Sequence, residues 1–480
     1  MCITNHTKFK GEIENYLRNG QNKFDSKIDR AFSCLKFKTW LSRTEIRKKD
    51  GYPTAHLLFV LFLLPVLKLK TVNSFCNKHW YQWSVCRKDA FYRFKHRAYR
   101  WRSFMYKVIS ELFRQLDSKK HQRFFVIDDS VLRKRGKDIE NVSFVYDHCL
   151  GRSTLGYALV KLGLLTENGY YPLDFSYWFS TTRHVKSPAE VIGDPRSISG
   201  QRSHEAKSFS KLELALQMIK RAIDHGIRAD FVLFDSWYAW PSLITAILKI
   251  EGAPHVICRL KDSKTKFEYG GKKYRLSELY QRVRKQFKKS KRTGLVLKRI
   301  RVKMPGSNES VTIVFAKGYC EPEAEPIKGK KQAEQPKWVA FLCTDSQLQA
   351  ATIIRHYTKR WTAEVCFKEC KQLLDLGKDQ SNNFQAQVFS TTVSFLRYAV
   401  LNYLNETERK GSPGSLFEHL VDETAHITYA QKLWKFFRGL FKTSFSKIFE
   451  LFKIEEEFQS YFSILDQLIS ESVPFRRCET

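Results

Sequence analysis

The sequence lacks an apolar stretch long enough to cross a bilayer. Its longest, Ala55 to Leu67, runs 13 residues and contains Pro65, whereas a spanning helix needs about 20. This stretch is expected to be a buried helix. The opening MCITNHTKFKGEIENYL has no apolar core of the kind a signal peptide carries. CxxC pairs are missing as well. The 11 cysteines are odd in number, and the closest two, Cys366 and Cys370, have no second pair to complete a metal site. They are expected to be free thiols in a reducing compartment, and the protein to be soluble, with no membrane partner. No internal repeat is evident.

Acids are scarce too. Against 83 Lys and Arg there are 49 Asp and Glu, a formal net charge of +34 over 480 residues. A surplus of that size repels itself and is best tolerated beside a polyanion. Hydrophobic residues at 43% and aromatics at 14% supply a sizeable core, which excludes a disordered chain. At about 150 residues per domain, the length suggests two to four domains.

The first 118 residues carry helical periodicity around Ile28 to Leu41, Ala55 to Leu67 and Phe104 to Leu116. Between them Arg87 to Lys107 holds eight Lys/Arg, seven aromatics and one acid. Its aromatics are expected in the core and its charges on DNA. From about residue 122 the pattern turns strand-like: Phe124 to Ile127 ending in Asp128-Asp129, then Leu155 to Leu165 and Tyr170 to Phe179, joined by a tight turn at Asn168-Gly169. Ser180 to Arg202 reads as a loop. Lys207 to His225 reads as an amphipathic helix closed by Gly226, and Ala229 to Asp235 as a strand ending in an acid. A helix from about Pro241 to Ile250 and a strand from His255 to Leu260 follow. Three antiparallel strands and then alternating helix and strand predict an α/β fold with a mixed sheet.

Residues 263–345 form a basic β-rich insertion. Arg282 to Lys303 carries eleven Lys/Arg in 22 residues and no acid, and Val311 to Phe315 and Val339 to Cys343 are strand-like. Glu321 to Pro336 is expected to be an exposed loop. Gln349 to Leu376 predicts one long helix and Phe384 to Asn405 another. Gly411 to Gly414 marks a linker before a helical tail.

Three acids stand out by placement. Asp129 and Asp235 end apolar strands and Glu364 lies on the long helix, so all three can converge at a sheet edge. Such carboxylates suit a hard divalent cation, and a pair of ions suits in-line phosphoryl displacement. Asp128 and Asp129 face opposite sides of a strand, and the pattern does not say which enters the site. On an uninterrupted helix Tyr357, Arg360, Glu364 and Lys371 fall within an arc of about 60°, a stripe of about 21 Å. Arg and Lys there could pair with phosphates. An ordinary salt-bridged face, with Arg360 and Glu364 as an i,i+4 pair, fits the spacing equally well.

HYTKRWTAEVCFKECK, His356 to Lys371, resembles the Y-x2-R-x3-E-x6-K signature of bacterial DDE transposases of the insertion-sequence-four type, matching at all four positions. IDDSVLRKRG (Ile127 to Gly136) and VLFDSWYAW (Val232 to Trp240) resemble that family's first-Asp and second-Asp motifs. The family's first Asp precedes Thr or Ser, which favours Asp129, followed here by Ser130. The resemblance implies an RNase H-like catalytic domain split by a β-rich insertion. It would comprise residues 119–262 and 346–410 around the 263–345 insertion, flanked by helical regions at 1–118 and 411–480. It implies cut-and-paste transposition of an insertion sequence: two Mg²⁺ ions (Mn²⁺ able to substitute) on Asp129, Asp235 and Glu364, hydrolysis at the element's ends, and attack of the freed 3′-hydroxyl on target DNA. Tyr357, Arg360 and Lys371 would grip terminal phosphates, and Trp361 would lie near a displaced base. Trp338 is expected to be a core residue. The implied partners are terminal inverted repeats, target DNA and a second copy of the chain, in a bacterial cytoplasm at the nucleoid. An inactivated DNA-binding relative and a metal-dependent nuclease without strand transfer are the alternatives. Arg133, Lys134 and Arg135 could meet phosphate or solvent, and His184 and His204 are assigned no catalytic part.

Overall fold

The computed structural model describes residues 27–77, 87–116, 121–180, 194, 196–307, 309–320, 338–408, 411–422, 460, 463 and 464. The chain divides into two compact units, residues 1–112 with 400–480, and residues 113–399. The exposed loop expected at 321–336, His184 and nearly all of the C-terminal region lie outside the described residues.

The first unit is helical over its described part: α1 (Lys27–Cys34), α2 (Phe37–Arg43), α3 (Thr54–Leu63), α4 (Val72–Asn77), α5 (Lys88–His96) and α6 (Trp101–Leu116). Helix α3 is apolar all round and buried from His56 to Leu63, as its sequence led one to expect. The aromatics of Arg87 to Lys107 also go inward. Phe91, Phe94, Tyr99, Trp101, Phe104 and Tyr106 are buried, and Phe94, Tyr99 and Trp101 meet at centroid distances of 5.6 Å.

The second unit is built on one twelve-stranded sheet. Its strands are β1 (Phe124–Arg133), β2 (Ser143–Asp147), β3 (Arg152–Thr166), β4 (Gly169–Trp178), β5 (Phe231–Phe234), β6 (His255–Leu260), β7 (Phe267–Tyr269), β8 (Lys272–Tyr274), β9 (Lys288–Lys289), β10 (Val296–Lys303), β11 (Ser310–Lys317) and β12 (Val339–Cys343). Its helices are α7 (Ile198–Ser208), α8 (Lys211–Asp224), α9 (Pro241–Leu248), α10 (Leu276–Val283), α11 (Ala350–Thr358), α12 (Trp361–Leu373) and α13 (Phe384–Glu408). β3 pairs antiparallel with β1 and β4, and β1, β5 and β6 run parallel. This is the expected mixed α/β order, and the hairpin turns at Gly169, φ 122°, where a side chain would be strained.

Two expectations are corrected. The segment from 180 to 202 does not stay a loop: α7 begins at Ile198, capped by the Ser197 hydroxyl, which accepts the Gly200 N–H at 3.0 Å. The strands of 263–345 belong to the same sheet: β12 pairs with β6 and passes the sheet on to β11 and β10, and α10 lies among them. Gln349 to Leu376 is two helices, α11 and α12, not one. At the joint Lys359 and Arg360 donate to His356 and Tyr357, three residues back, and Thr362 and Ala363 repeat this. The Thr358 and Thr362 hydroxyls bond the Arg355 and Lys359 carbonyls, a side-chain competition that interrupts a regular helix.

Tyr170 packs across Gly163, beside the register shift between β3 and β4 at Leu162/Gly163. A Cβ at 163 would fall 2.1 Å from the Tyr170 hydroxyl. Gly163→Ala should therefore cost about 1–3 kcal/mol through overpacking, lowering the melting temperature by several degrees in circular dichroism. An unchanged melting curve would mean that the ring does not lie across this glycine.

Candidate active site

Asp128 and Asp129 lie inside β1, and Asp235 follows the last residue of β5, the parallel neighbour. Glu364 stands in the first turn of α12, which packs on β1 and β4. The docking is made by Lys161 of β3, register partner of Asp128. Its fully buried ammonium donates to the Ala363 carbonyl at 3.0 Å and lies 3.7 Å from the Phe367 ring centroid. The residue before Glu364 is thus tied to the sheet. Helix α11 is held differently: His356 sits between Phe124 and Phe231, at 4.9 and 5.2 Å. Burial, then Lys359 and Arg355, press the His356 pKa down to about 4, so it is a neutral packing group.

The acids fall into two neighbouring sets, as strand alternation requires. Asp129 takes the Lys211 ammonium at 2.6 Å and the Tyr238 hydroxyl at 3.1 Å. Asp235 accepts the Trp237 backbone N–H at 3.0 Å. Burial raises its pKa; Arg360 counteracts, and Asp129 adds to the rise. Asp128 lies on the side of Glu364. Burial lifts its pKa to about 7; Arg360 opposes, while Asp129 and Glu364 reinforce. Arg360 links the sets. Its guanidinium donates to Glu364 at 2.6 Å and stands 3.9 Å from Asp128. Burial works against its charge, but Tyr357, Asp128 and Glu364 outweigh that and raise its pKa. Arg360 Nε is buried and has no hydrogen-bond partner.

The broken helix changes the row of four. Tyr357 ends up in α11, 2% exposed, with its ring 4.8 Å from Phe341. Arg360, 7% exposed, sits at the joint, and Trp361 opens α12. Glu364 and Lys371, two turns apart on α12, still share a face. Lys371 donates to the Ser130 hydroxyl and the Val131 carbonyl, at 2.7 and 3.1 Å. Burial lowers its pKa, with Cys149 and Asp147 opposing. The i,i+4 pair of Arg360 and Glu364 is present. Trp338 stacks on Tyr280 at 4.8 Å and meets Phe315 at 5.5 Å. Lys134, just past the end of β1, is buried away from solvent and donates to the Gly377 and Asp379 carbonyls at 3.1 and 2.6 Å, while Arg133 pairs with Asp147 at 2.9 Å.

Sequence reasoning missed Lys161, Lys211 and Tyr238. A lone lysine inside the apolar run LGYALVKLGLL was a visible signal for Lys161. Nothing local marks Lys211, whose partner is 82 residues away. Among the described residues no three His, Cys, Asp or Glu side chains are gathered closely enough to hold a metal ion. The donor set is nevertheless all carboxylate, suited to a hard divalent cation. Asp235 has a pKa raised partly by Asp129, the crowding a cation would relieve, and by donor chemistry Asp129, Asp235 and Glu364 fit such an ion.

The family described as DDE superfamily endonuclease matches residues 78–265, and the Transposase DDE domain matches residues 198–397. The chain carries a DDE transposase domain. The first match spans Asp129 and Asp235 and the second spans Asp235 and Glu364, so the acids of this transposase lie within the matched regions. No curated protein matches it. Among solved structures, a cryo-EM structure of the piggyBac transposase synaptic complex with hairpin DNA aligns over 83% of this chain and 77% of its own, at 12% identity and a TM-score of 0.41. That likeness is too loose to argue from.

Asp128 is protonated more readily folded than unfolded, about 7 against its ordinary 3.8. Its cost to stability is therefore small at low pH and grows as pH rises toward 7. Relative to Asp128→Asn, the wild-type transposase should lose about 3 kcal/mol between pH 5 and pH 8, read from paired denaturant titrations. A difference that stays flat with pH would place Asp128 in an ordinary solvated setting.

Proposed function

We propose that this transposase moves an insertion sequence by cut-and-paste. It binds terminal inverted repeats as a homodimer, cleaves at the element's ends with Mg²⁺, for which Mn²⁺ can substitute, and joins the freed 3′-hydroxyl to target DNA. The observation that carries this reading is that Asp128 inside β1, Asp235 just after parallel β5 and Glu364 on α12 all lie within the field of Arg360, with Asp129 beside Asp235. Asp129, Asp235 and Glu364 would hold the ions, which when bound activate an attacking oxygen and stabilise a leaving one. The order of β4, β3, β1, β5 and β6, three antiparallel strands followed by two parallel ones, supports an RNase H-like core.

The chain's own groups would do the rest. Lys161 sets the height of Glu364 on the sheet. Lys211 and Arg360 neutralise the carboxylates while no other cation is there. Arg360, which bonds Glu364 and stands 3.9 Å from Asp128, is the cation placed to meet a phosphate brought to those acids. Arg299, Arg301 and Lys303 on β10 are exposed around buried Ile300 and Val302, and they offer positive charge to a DNA backbone.

End-containing duplexes and a target plasmid test the reading. Glu364→Gln and Asp129→Asn should lower cleavage by more than the roughly 100-fold lost when outer-shell partners of a metal are removed. DNA affinity should change little and Asp128→Asn should still cleave. Cleavage without joining would point to a nuclease, and binding without cleavage to an inactivated relative. Arg360→Ala should weaken end binding and reduce the salt slope of log K by about one; an unaltered slope would leave Arg360 as a salt-bridge residue only.

A further inference from the structure

Two exposed indoles stand on the turn that follows Asp235. Trp237 is 43% exposed and Trp240 56%. Both belong to the turn from β5 into α9, and the Asp235 carboxylate itself accepts the Trp237 backbone N–H. The turn that presents the acid therefore fixes the backbone that carries the first ring. Lys211 reaches between the rings of Trp178 and Trp237, 5.5 and 5.0 Å from their centroids, while its ammonium holds Asp129. Tyr238, which donates to Asp129, meets Trp237 edge-on at 4.8 Å. Trp240 is the residue before α9, with its N–H on the Tyr238 carbonyl at 2.7 Å and Pro241 next in the chain.

We propose that Trp237 and Trp240 form a stacking platform for unpaired nucleobases of a DNA strand lying against the acid cluster. The inference rests on the DNA-cleaving reading above. An indole face left in water is best covered by another flat π-system. In a duplex the bases cover one another, so only an unpaired strand offers its faces to such a ring. The +34 charge of the chain favours a polyanion over an aromatic protein segment as the source. The Lys211 ammonium beside Trp237 offsets the repulsion that the neighbouring carboxylates exert on phosphates. A base held on Trp237 would sit next to the turn that carries Asp235, which fixes its nucleotide relative to the acids.

The full chain is titrated by fluorescence anisotropy against labelled oligo(dT) and against a duplex of equal length. Trp237→Ala and Trp240→Ala should each weaken oligo(dT) binding by about tenfold, equivalent to 1.4 kcal/mol and within the usual worth of one base–aromatic stack. Duplex affinity should stay within about twofold, and Trp237→Phe, which keeps a ring, should recover most of the loss. Circular dichroism of the variants should overlay the wild type. Oligo(dT) affinity untouched by both alanine variants would overturn the platform and leave the indoles as a protein-facing patch. Equal losses on both probes would also overturn it. A wild-type chain that binds neither probe would sink the DNA reading itself, an outcome distinct from failure of the platform alone.

Discussion

A lysine buried in the middle of an apolar strand holds the catalytic region together. The Lys161 ammonium has left water entirely, which is affordable only because the Ala363 carbonyl and the rings of Phe367 and Tyr170 receive it. Its strand neighbour across β1 is Asp128, whose charge lies within its field. One cation thus fixes the helix that bears Glu364 to the strand that bears two aspartates. Without it the first turn of α12 would lose this tie to the sheet, leaving the Lys371 bonds to Ser130 and Val131 near the helix's other end.

Charge balance in the pocket follows from the same crowding. The four carboxylates stand in two neighbouring sets, and Lys161, Lys211 and Arg360 are interleaved among them. No acid stands without a cation or a polar donor nearby. The pocket is a set of opposing charges held by sheet, helix and joint, each pair closed by an element that the fold supplies for another reason.

Much of this architecture could be read from residues alone. Apolar runs ending in acids located β1 and β5, and Asn168-Gly169 located the hairpin, whereas the helix expected from Lys207 to His225 starts only at Lys211, on the Ser210–Glu213 capping box. The strands of the basic segment were legible as strands, but their partners were not, because pairing β12 with β6 joins residues some 80 positions apart. The helix joint was hidden for a local reason: Thr358 and Thr362 fit a helical pattern, and only their hydroxyl bonds to the chain reveal the interruption. Which aspartate of the pair meets Glu364 depends on strand phase, a property that composition does not carry. Lys211 was out of reach altogether, since its meaning lies in a distant carboxylate.

Because β10 belongs to the same sheet as β5, its exposed arginines and lysine ride on a rigid plank with the acids. Between the two strands lie β6, β12 and β11, four spacings of about 4.8 Å, or roughly 19 Å in all. Anything clamped on the outer cationic row is therefore kept at a constant offset from the acids. That sheet acts as a ruler, its span from β5 to β10 set by hydrogen-bonded strands.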